Sequence, residues 1–333
     1  MKSEQKRGTC PLVRGDLNLN EKAVIGGIIG VVVGDALGLP VQFMTKTEIR
    51  KKPITEMTGG GTFRLEPGAW SDDSSLTLCL AESLFEVGYN PKDIAQRFVR
   101  WYRDGYMAPF GESFDIGGTT VEAMERLIAG IDPLEAGPTD VRSNGNGSLM
   151  RILPATIYFA HEPEDTMINR ICEVSKITHG HPRSQLACCL YSLFIKELLT
   201  GGSPDEAYNT MRIKSQTLFV DSELGKELNH FQRIINGELP NLTEHDIRSG
   251  GYVVETLEAA LWSFLTTSTF KDSVLKAVNL GWDTDTVGAI TGSLAGVYYG
   301  FTNIPTDWRR KLIKYEEILS LTNQFAERVL QQQ

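Results

Sequence analysis

Two apolar segments carry a glycine at every fourth position, and this pattern restricts the fold more than any other feature of the sequence. The glycines are Gly26, Gly30, Gly34, Gly288, Gly292, Gly296 and Gly300. Such spacing places them on one face of a helix, where each interior glycine costs roughly 1 kcal/mol relative to alanine. We therefore expect helices in close backbone contact with a neighbour. One stripe leads into Asp35 and the other follows residues 283–286, so tight packing would hold carboxylates rigidly near one point, as a metal site requires.

Apolar residues recur at three- or four-residue spacing through much of the chain, whereas the alternating pattern of strands is scarce. The stretches with helical spacing are 74–87, 91–103, 119–129, 165–176, 184–199, 253–266, 272–280 and 284–299. The apolar stretch 23–34 is shorter than the roughly 20 residues of a membrane span, which favours a core helix. The sequence predicts an all-α protein, in which Asp72 or Asp73 caps the helix that follows.

Composition favours one domain in a reducing compartment. No low-complexity run divides the chain, so we expect a single domain over residues 21–333 and a loosely attached arm over residues 1–20. The five cysteines include no CxxC pair, which argues against disulfides and zinc–thiolate sites, and the N-terminus lacks a signal-peptide layout. We expect a cytoplasmic protein. The net charge of −9 disfavours binding to nucleic acid or to an anionic membrane.

Two oxygen-rich clusters stand at predicted helix starts. They are Trp70-Ser71-Asp72-Asp73-Ser74-Ser75 and Trp282-Asp283-Thr284-Asp285-Thr286. Capping explains one acid and one hydroxyl of such a cluster, but adjacent carboxylates repel each other, and a divalent cation relieves that repulsion. Carboxylate and hydroxyl oxygens suit Mg²⁺ or Mn²⁺, whereas zinc would recruit the His or Cys that both clusters lack. The clusters together offer enough oxygens for two ions.

Six short motifs follow one another along roughly residues 21–315. They are Gly34-Asp35-Ala36-Leu37-Gly38 with Pro40, Trp70-Ser71-Asp72-Asp73-Ser74, Asp115-Ile116-Gly117, Asn144-Gly145-Asn146-Gly147-Ser148-Leu149-Met150-Arg151, Thr178-His179 and Asp283-Thr284-Asp285-Thr286. In this order they resemble the motifs of the ADP-ribosylglycohydrolases, a family that includes the dinitrogenase-reductase-activating hydrolase. The resemblance implies a compact orthogonal helical bundle and an enzyme that removes ADP-ribose from modified protein side chains.

The resemblance also implies roles for single residues. The ligands of two Mg²⁺ or Mn²⁺ ions would be Ser71, Asp72, Asp73, Asp283, Asp285 and Thr286. Asn146, Gly147 and Ser148 match the loop that receives the diphosphate, where N–H groups lead into a helix. Asp115 matches an acid near the scissile bond, and it or an Asp of the metal shell, Asp73 or Asp283, would take the proton of the attacking water. His179 matches a residue near the adenosine or ribose, with a purely structural histidine as the alternative.

The chain departs from the family pattern at two of the positions that bear on function. Ser71 stands where threonine is usual, and it keeps the hydroxyl for ligation. Gln42 stands where many relatives, including serine-linkage hydrolases, carry a glutamate, and a neutral amide cannot act as a general base. This favours the arginine-linkage branch. Asp35 is interpreted as a structural residue.

We therefore predict a metal-dependent hydrolase that cleaves the bond between ribose C1″ and a guanidinium nitrogen, reversing the action of an ADP-ribosyltransferase. The metals would orient the ribose hydroxyls and lower the pKa of the attacking water. Three alternatives stay open. The enzyme could hydrolyse a linkage to serine, a small metabolite or a nucleobase; the chain could be an inactive protein that binds ADP-ribose or a partner; or it could be an immunity protein whose arm contacts a cognate transferase or toxin.

Overall fold

The computed structural model describes residues 19–332, which form α-helices joined by loops and short 3₁₀ turns. The α-helices are α1 (Glu21–Gly38), α2 (Lys46–Lys51), α3 (Asp72–Glu86), α4 (Pro91–Asp104), α5 (Gly118–Ile128), α6 (Pro133–Ala136), α7 (Leu153–Tyr158), α8 (Glu164–Lys176), α9 (Pro182–Leu199), α10 (Pro204–Leu218), α11 (Gln232–Ile235), α12 (Val253–Leu265), α13 (Phe270–Val278), α14 (Thr284–Tyr299), α15 (Thr306–Lys311) and α16 (Tyr315–Leu330). The 3₁₀ turns are Leu39–Val41, Gly225–Phe231, Leu239–Asn241, Glu244–Asp246 and Phe301–Asn303. Over this range β-pairing is limited to two isolated bridges. The predicted all-α class is confirmed.

Helices α1 and α14 lie antiparallel and touch backbone to backbone along their glycine faces. The facing pairs are Gly26 and Gly296, Gly30 and Gly292, and Gly34 and Gly288. A Cβ atom added to Gly30 would lie 2.1 Å from the carbonyl oxygen of Gly292, and the reciprocal distance is also 2.1 Å. Only a hydrogen atom fits between the two backbones, so the predicted close contact is present.

This contact brings the end of α1 to the start of α14. A Cβ atom on Gly38 would lie 2.2 Å from the carbonyl oxygen of Thr284, and the Thr284 hydroxyl donates to the Gly38 carbonyl at 2.8 Å. Asp35, in the last turn of α1, therefore faces Asp285, in the first turn of α14. Residues 34 and 283, which are 249 positions apart in the chain, meet in one buried region because the stripes dictate the pairing.

Helix α1 is longer than the sequence pattern predicts. Together with the next turn it forms an apolar segment, Glu21–Val41, whose length and mean hydropathy of 2.0 would suffice to cross a membrane. However, 94% of the tested window is buried inside the protein. The predicted core helix is correct, but burial among the other helices, and not shortness, is what supports that assignment.

Two boundaries differ from the sequence expectation. Ser71 is the N-cap of α3, with its hydroxyl accepting from the Asp73 N–H at 3.3 Å, so the expected capping role of Asp72 or Asp73 was wrong. Leu19 is buried and Asn20 caps α1 by accepting from the N–H of Lys22 at 2.9 Å. These two residues of the predicted arm are thus part of the described fold, and residues 1–18 lie outside the described residues.

The glycine contact gives a stability prediction. Gly292→Ala inserts a methyl group into a space that holds only hydrogen, so we expect the free energy of unfolding to fall by about 3 kcal/mol. Urea unfolding followed by circular dichroism measures this change. Gly118→Ala is the matched control, because a Cβ there meets nothing within 4 Å, and it should change stability by less than ~1 kcal/mol. Equal stability of both variants would show that α1 and α14 are not locked together.

Candidate active site

Three buried carboxylates from three helices converge beside the α1–α14 contact. Asp35, Asp73 and Asp285 each offer an oxygen, and these oxygens lie within 4.8 Å of one another. Asp35 accepts hydrogen bonds from the N–H of Ser71 at 2.9 Å and from the N–H and hydroxyl of Ser74 at 3.1 and 2.5 Å. These bonds fix the first turn of α3 on α1. Asp35 is therefore engaged in positioning α3, which agrees with its interpretation as a structural residue.

Two carboxylate oxygens in this cluster have no donor. Asp73 Oδ2 accepts from the hydroxyls of Ser71 at 3.1 Å and Thr286 at 3.3 Å, so it links the two oxygen-rich clusters. Asp73 Oδ1 and Asp285 Oδ2 are buried and have no hydrogen-bond partner among the described residues. A buried carboxylate oxygen without a donor is costly. A hard divalent cation removes that cost, and the donor set of carboxylates and hydroxyls fits such an ion.

A cavity of about 580 Å³ opens beside the cluster, and Asp72, Asp115, Asp283 and Thr286 line it. Asp283 Oδ2 accepts from Asn146 Nδ2 at 2.5 Å. The structure brings together all six predicted ligands: Ser71, Asp72, Asp73, Asp283, Asp285 and Thr286.

The carboxyl groups of the cluster are difficult to ionise together. Burial raises the pKa of Asp72, Asp73 and Asp285 well above the usual range, and neighbouring carboxylates raise each pKa further. Burial also raises the pKa of Asp35 to about 6, although its hydrogen bonds counteract the shift. So many carboxylates in one dry region repel one another strongly, and a bound divalent cation would relieve this repulsion.

Asp115 is held at the edge of the cluster. Its Oδ2 accepts from Gln42 Nε2 at 2.8 Å, and its backbone adopts a left-handed conformation with φ of 58°. Burial raises the pKa of Asp115, whereas contacts with Asp285 and Gln42 lower it. The predicted acid thus lies next to the predicted metal ligands and lines the same cavity.

The three residues of the predicted diphosphate loop lie at different depths. Asn146 and Gly147 line the cavity, and a Cβ atom on Gly147 would lie 2.8 Å from His179 Cε1. His179 also lines the cavity, and burial lowers its pKa to about 3, so its ring is neutral. The hydroxyl of Ser148, by contrast, is buried and accepts from the Ser175 hydroxyl at 2.9 Å. Its side chain supports the loop from the core.

Sequence reasoning missed the N-terminus of α5. The cavity wall includes Gly117, Gly118, Thr119 and Thr120. The N-cap Gly117 supplies no side-chain cap, and a Cβ on Gly117 or Gly118 would meet nothing within 4 Å. Uncapped N–H groups at the start of a helix suit an anion. The signal was present, because Gly-Gly-Thr-Thr directly precedes an apolar helical stretch.

The fold and the site define an all-helical protein with a cavity beside a buried acidic cluster. The profile of the ADP-ribosylglycohydrolase family matches residues 17–333. The chain belongs to this family, as its motifs predicted. The coarse prediction, a hydrolase that removes ADP-ribose from a modified protein, is thereby confirmed.

Individual relatives are similar over most of the chain. The chain is 35% identical to the ADP-ribosylarginine hydrolase Tri1 of Serratia proteamaculans (strain 568) over 90% of this chain and 77% of that protein. It is 33% identical to the ADP-ribosyl-[dinitrogen reductase] glycohydrolase of Rhodospirillum rubrum over 86% of this chain and 89% of that protein. A solved structure described as an ADP-ribosylglycohydrolase-related protein complex superposes with a TM-score of 0.79 at 33% identity, over 93% of this chain and 98% of that chain.

The repulsion in the cluster gives a second prediction. Asp285→Asn removes one of the buried like charges, so the metal-free variant should be more stable than the metal-free wild type by about 1 kcal/mol. Mg²⁺ at about 100 times its Kd should add ~2.7 kcal/mol to the wild type and far less to the variant. Thermal unfolding in EDTA and in Mg²⁺ or Mn²⁺ tests both statements.

Asp205→Asn provides the control, since Asp205 is an exposed residue in the first turn of α10. This variant should keep the full response to the metal. A wild type that melts at the same temperature in EDTA and in saturating Mg²⁺ and Mn²⁺ would contradict the metal assignment.

Proposed function

We propose that this protein hydrolyses the bond between ADP-ribose and an arginine side chain, with two Mg²⁺ or Mn²⁺ ions held between its acidic clusters. The observation that carries the proposal is the pair of buried oxygens without donors, Asp73 Oδ1 and Asp285 Oδ2, next to an acid-lined cavity. The arginine linkage is supported by the relatives described above, of which one is a hydrolase of ADP-ribosylarginine.

The ligands would be the six oxygen-bearing residues Ser71, Asp72, Asp73, Asp283, Asp285 and Thr286. When bound, the ions would orient the ribose hydroxyls and lower the pKa of the attacking water. The two-ion count follows from the number of oxygens, since six side chains exceed what one Mg²⁺ takes from protein when it also keeps water.

The other residues of the site orient the carboxylates and bind the substrate. The Asn146 amide holds the Asp283 carboxylate, and the Gln42 amide holds Asp115. Because an amide N–H favours the ionised acceptor, Gln42 keeps Asp115 ready to accept the proton of the attacking water. The diphosphate would lie between the N-terminus of α5 and the backbone at Gly147, with the neutral ring of His179 beside it.

The direct test is release of ADP-ribose from an arginine-modified protein, with a serine-modified protein in parallel. We expect release from the arginine substrate in Mg²⁺ or Mn²⁺ and none in EDTA. Asp283→Ala and Asp285→Ala should lower kcat/KM by at least about 100-fold, whereas Asp205→Asn should not change it.

The possible outcomes separate the alternatives. Full activity in EDTA, or in Asp285→Ala, would overturn the metal-dependent mechanism. Release from serine alone would assign a different linkage. Binding of ADP-ribose without release from either substrate would indicate an inactive binding protein.

We propose further that the protein binds the transferase whose modification it reverses. The N-terminal arm would make this contact, and the protein would act as an immunity protein. Because Leu19 is buried and Asn20 caps α1, the deletion that tests the arm removes residues 1–18 and retains these two residues. This deletion should abolish binding to the transferase that prepares the arginine substrate and leave hydrolysis unchanged. Unchanged binding would contradict the role of the arm.

A cytoplasmic location also belongs to the proposal. Cys172 and Cys189 are free cysteines whose sulfur atoms lie 3.5 Å apart. Neighbouring thiols of this kind fit a reducing compartment.

A further inference from the structure

Two exposed aromatic side chains line the cavity next to the acidic cluster. Phe43 is 56% exposed and Trp282 is 54% exposed, and both contribute to the cavity wall. Each is adjacent in sequence to a residue of the site, because Phe43 follows Gln42 and Trp282 precedes Asp283. We call Phe43 and Trp282 together the aromatic lip.

The backbone of the lip is fixed. The Phe43 N–H donates to the Trp282 carbonyl at 2.7 Å, and the Trp282 N–H donates to the Met44 carbonyl at 2.7 Å. Both lip residues have a left-handed backbone conformation, with φ of 68° for Phe43 and 63° for Trp282. Residues other than glycine rarely adopt this conformation. Strained positions of this kind cluster at ligand-binding sites, and here the strain holds two large rings in the open instead of in the core.

Gln42 adds a polar group on the same side. Its side chain is 5% exposed, and its amide N–H is directed to Asp115. The 2.8 Å contact from Gln42 Nε2 to Asp115 Oδ2 directs the amide nitrogen towards Asp115 and leaves the amide oxygen on the other side. Its Oε1 has no partner among the described residues, so it is an acceptor without a donor.

We propose that the aromatic lip and Gln42 bind the guanidinium group of the modified arginine and thereby set the linkage specificity. This inference rests on the proposed function and names the residues that recognise arginine. With the ribose at the acidic cluster and the diphosphate at Gly147 and α5, the rest of the wall includes the lip, Phe63, Ile116, Met150, Gly250 and Gly251. Of these residues the lip carries the two large exposed aromatic rings, and we place the arginine side chain against them. A guanidinium is planar, cationic and rich in N–H donors, and it stacks on aromatic rings. A serine-linked substrate has neither a planar group nor a positive charge at this position.

The test uses Trp282→Gly and Phe43→Gly in the full chain with metal. Glycine adopts positive φ freely, so these variants remove the rings and keep the backbone path. We expect kcat/KM for the arginine-modified substrate to fall roughly 10- to 30-fold in each variant. The Kd for free ADP-ribose should change less than about 3-fold. Trp282→Phe, which keeps a ring, should restore most of the activity.

Phe110→Ala is the control, because Phe110 is 44% exposed and does not line the cavity; it should keep wild-type kinetics. Unchanged kcat/KM in both glycine variants would overturn the inference. So would an equal loss of ADP-ribose affinity, which would assign the lip to the nucleotide. These results are distinct from failure of the proposed function, which would show as a wild type that releases no ADP-ribose from arginine, and that result would overturn the inference as well.

Discussion

The site depends on the backbone contact between α1 and α14. Because hydrogens alone separate Gly30 from Gly292, the two helices have one register, and that register decides which residues meet at their ends. It places Asp35 next to Asp285, and the hydrogen bonds of Asp35 then fix the start of α3, which carries Asp73. Carboxylates from three helices are thus held in place by rigid packing, which is how a protein keeps like charges close together.

Holding the carboxylates together lowers the stability of the protein. The unfavourable features all lie around one cavity. Buried carboxylates repel one another, and two of their oxygens lack a donor within residues 19–332. Phe43, Asp115 and Trp282 adopt left-handed backbones at its edge. Each of these features costs stability in the unliganded protein, and a bound cation or substrate would offset that cost. Their coincidence around one cavity is the physical reason to interpret it as the active site.

The sequence predicts those parts of the fold and site that rest on local patterns. The glycine stripes predict the helix contact, and the acidic clusters at the starts of α3 and α14 predict which carboxylates meet there. Sequence-based prediction fails where contacting residues are far apart in the chain or where the apolar periodicity is weak. The contact of Asn146 with Asp283 spans 137 residues, and no local signal indicates it. The hydrogen bond from the Ser175 hydroxyl in α8 to Ser148 likewise joins residues that are far apart in the sequence. Helix α10 was missed because it buries few residues, although the capping box of Ser203 and Glu206 marks its start. The catalytic and binding roles of Asp115 and His179 stay predictions.

Helix packing builds the acidic cluster, and we propose that metal ions bound there position ADP-ribose. The most direct measurement is an anomalous difference map from crystals grown with Mn²⁺ and ADP-ribose. We predict anomalous peaks adjoining Asp73 Oδ1 and Asp285 Oδ2, with the ribose hydroxyls against them and the diphosphate at Gly147 and the start of α5. Manganese bound elsewhere, or a ribose placed away from these carboxylates, would contradict this arrangement.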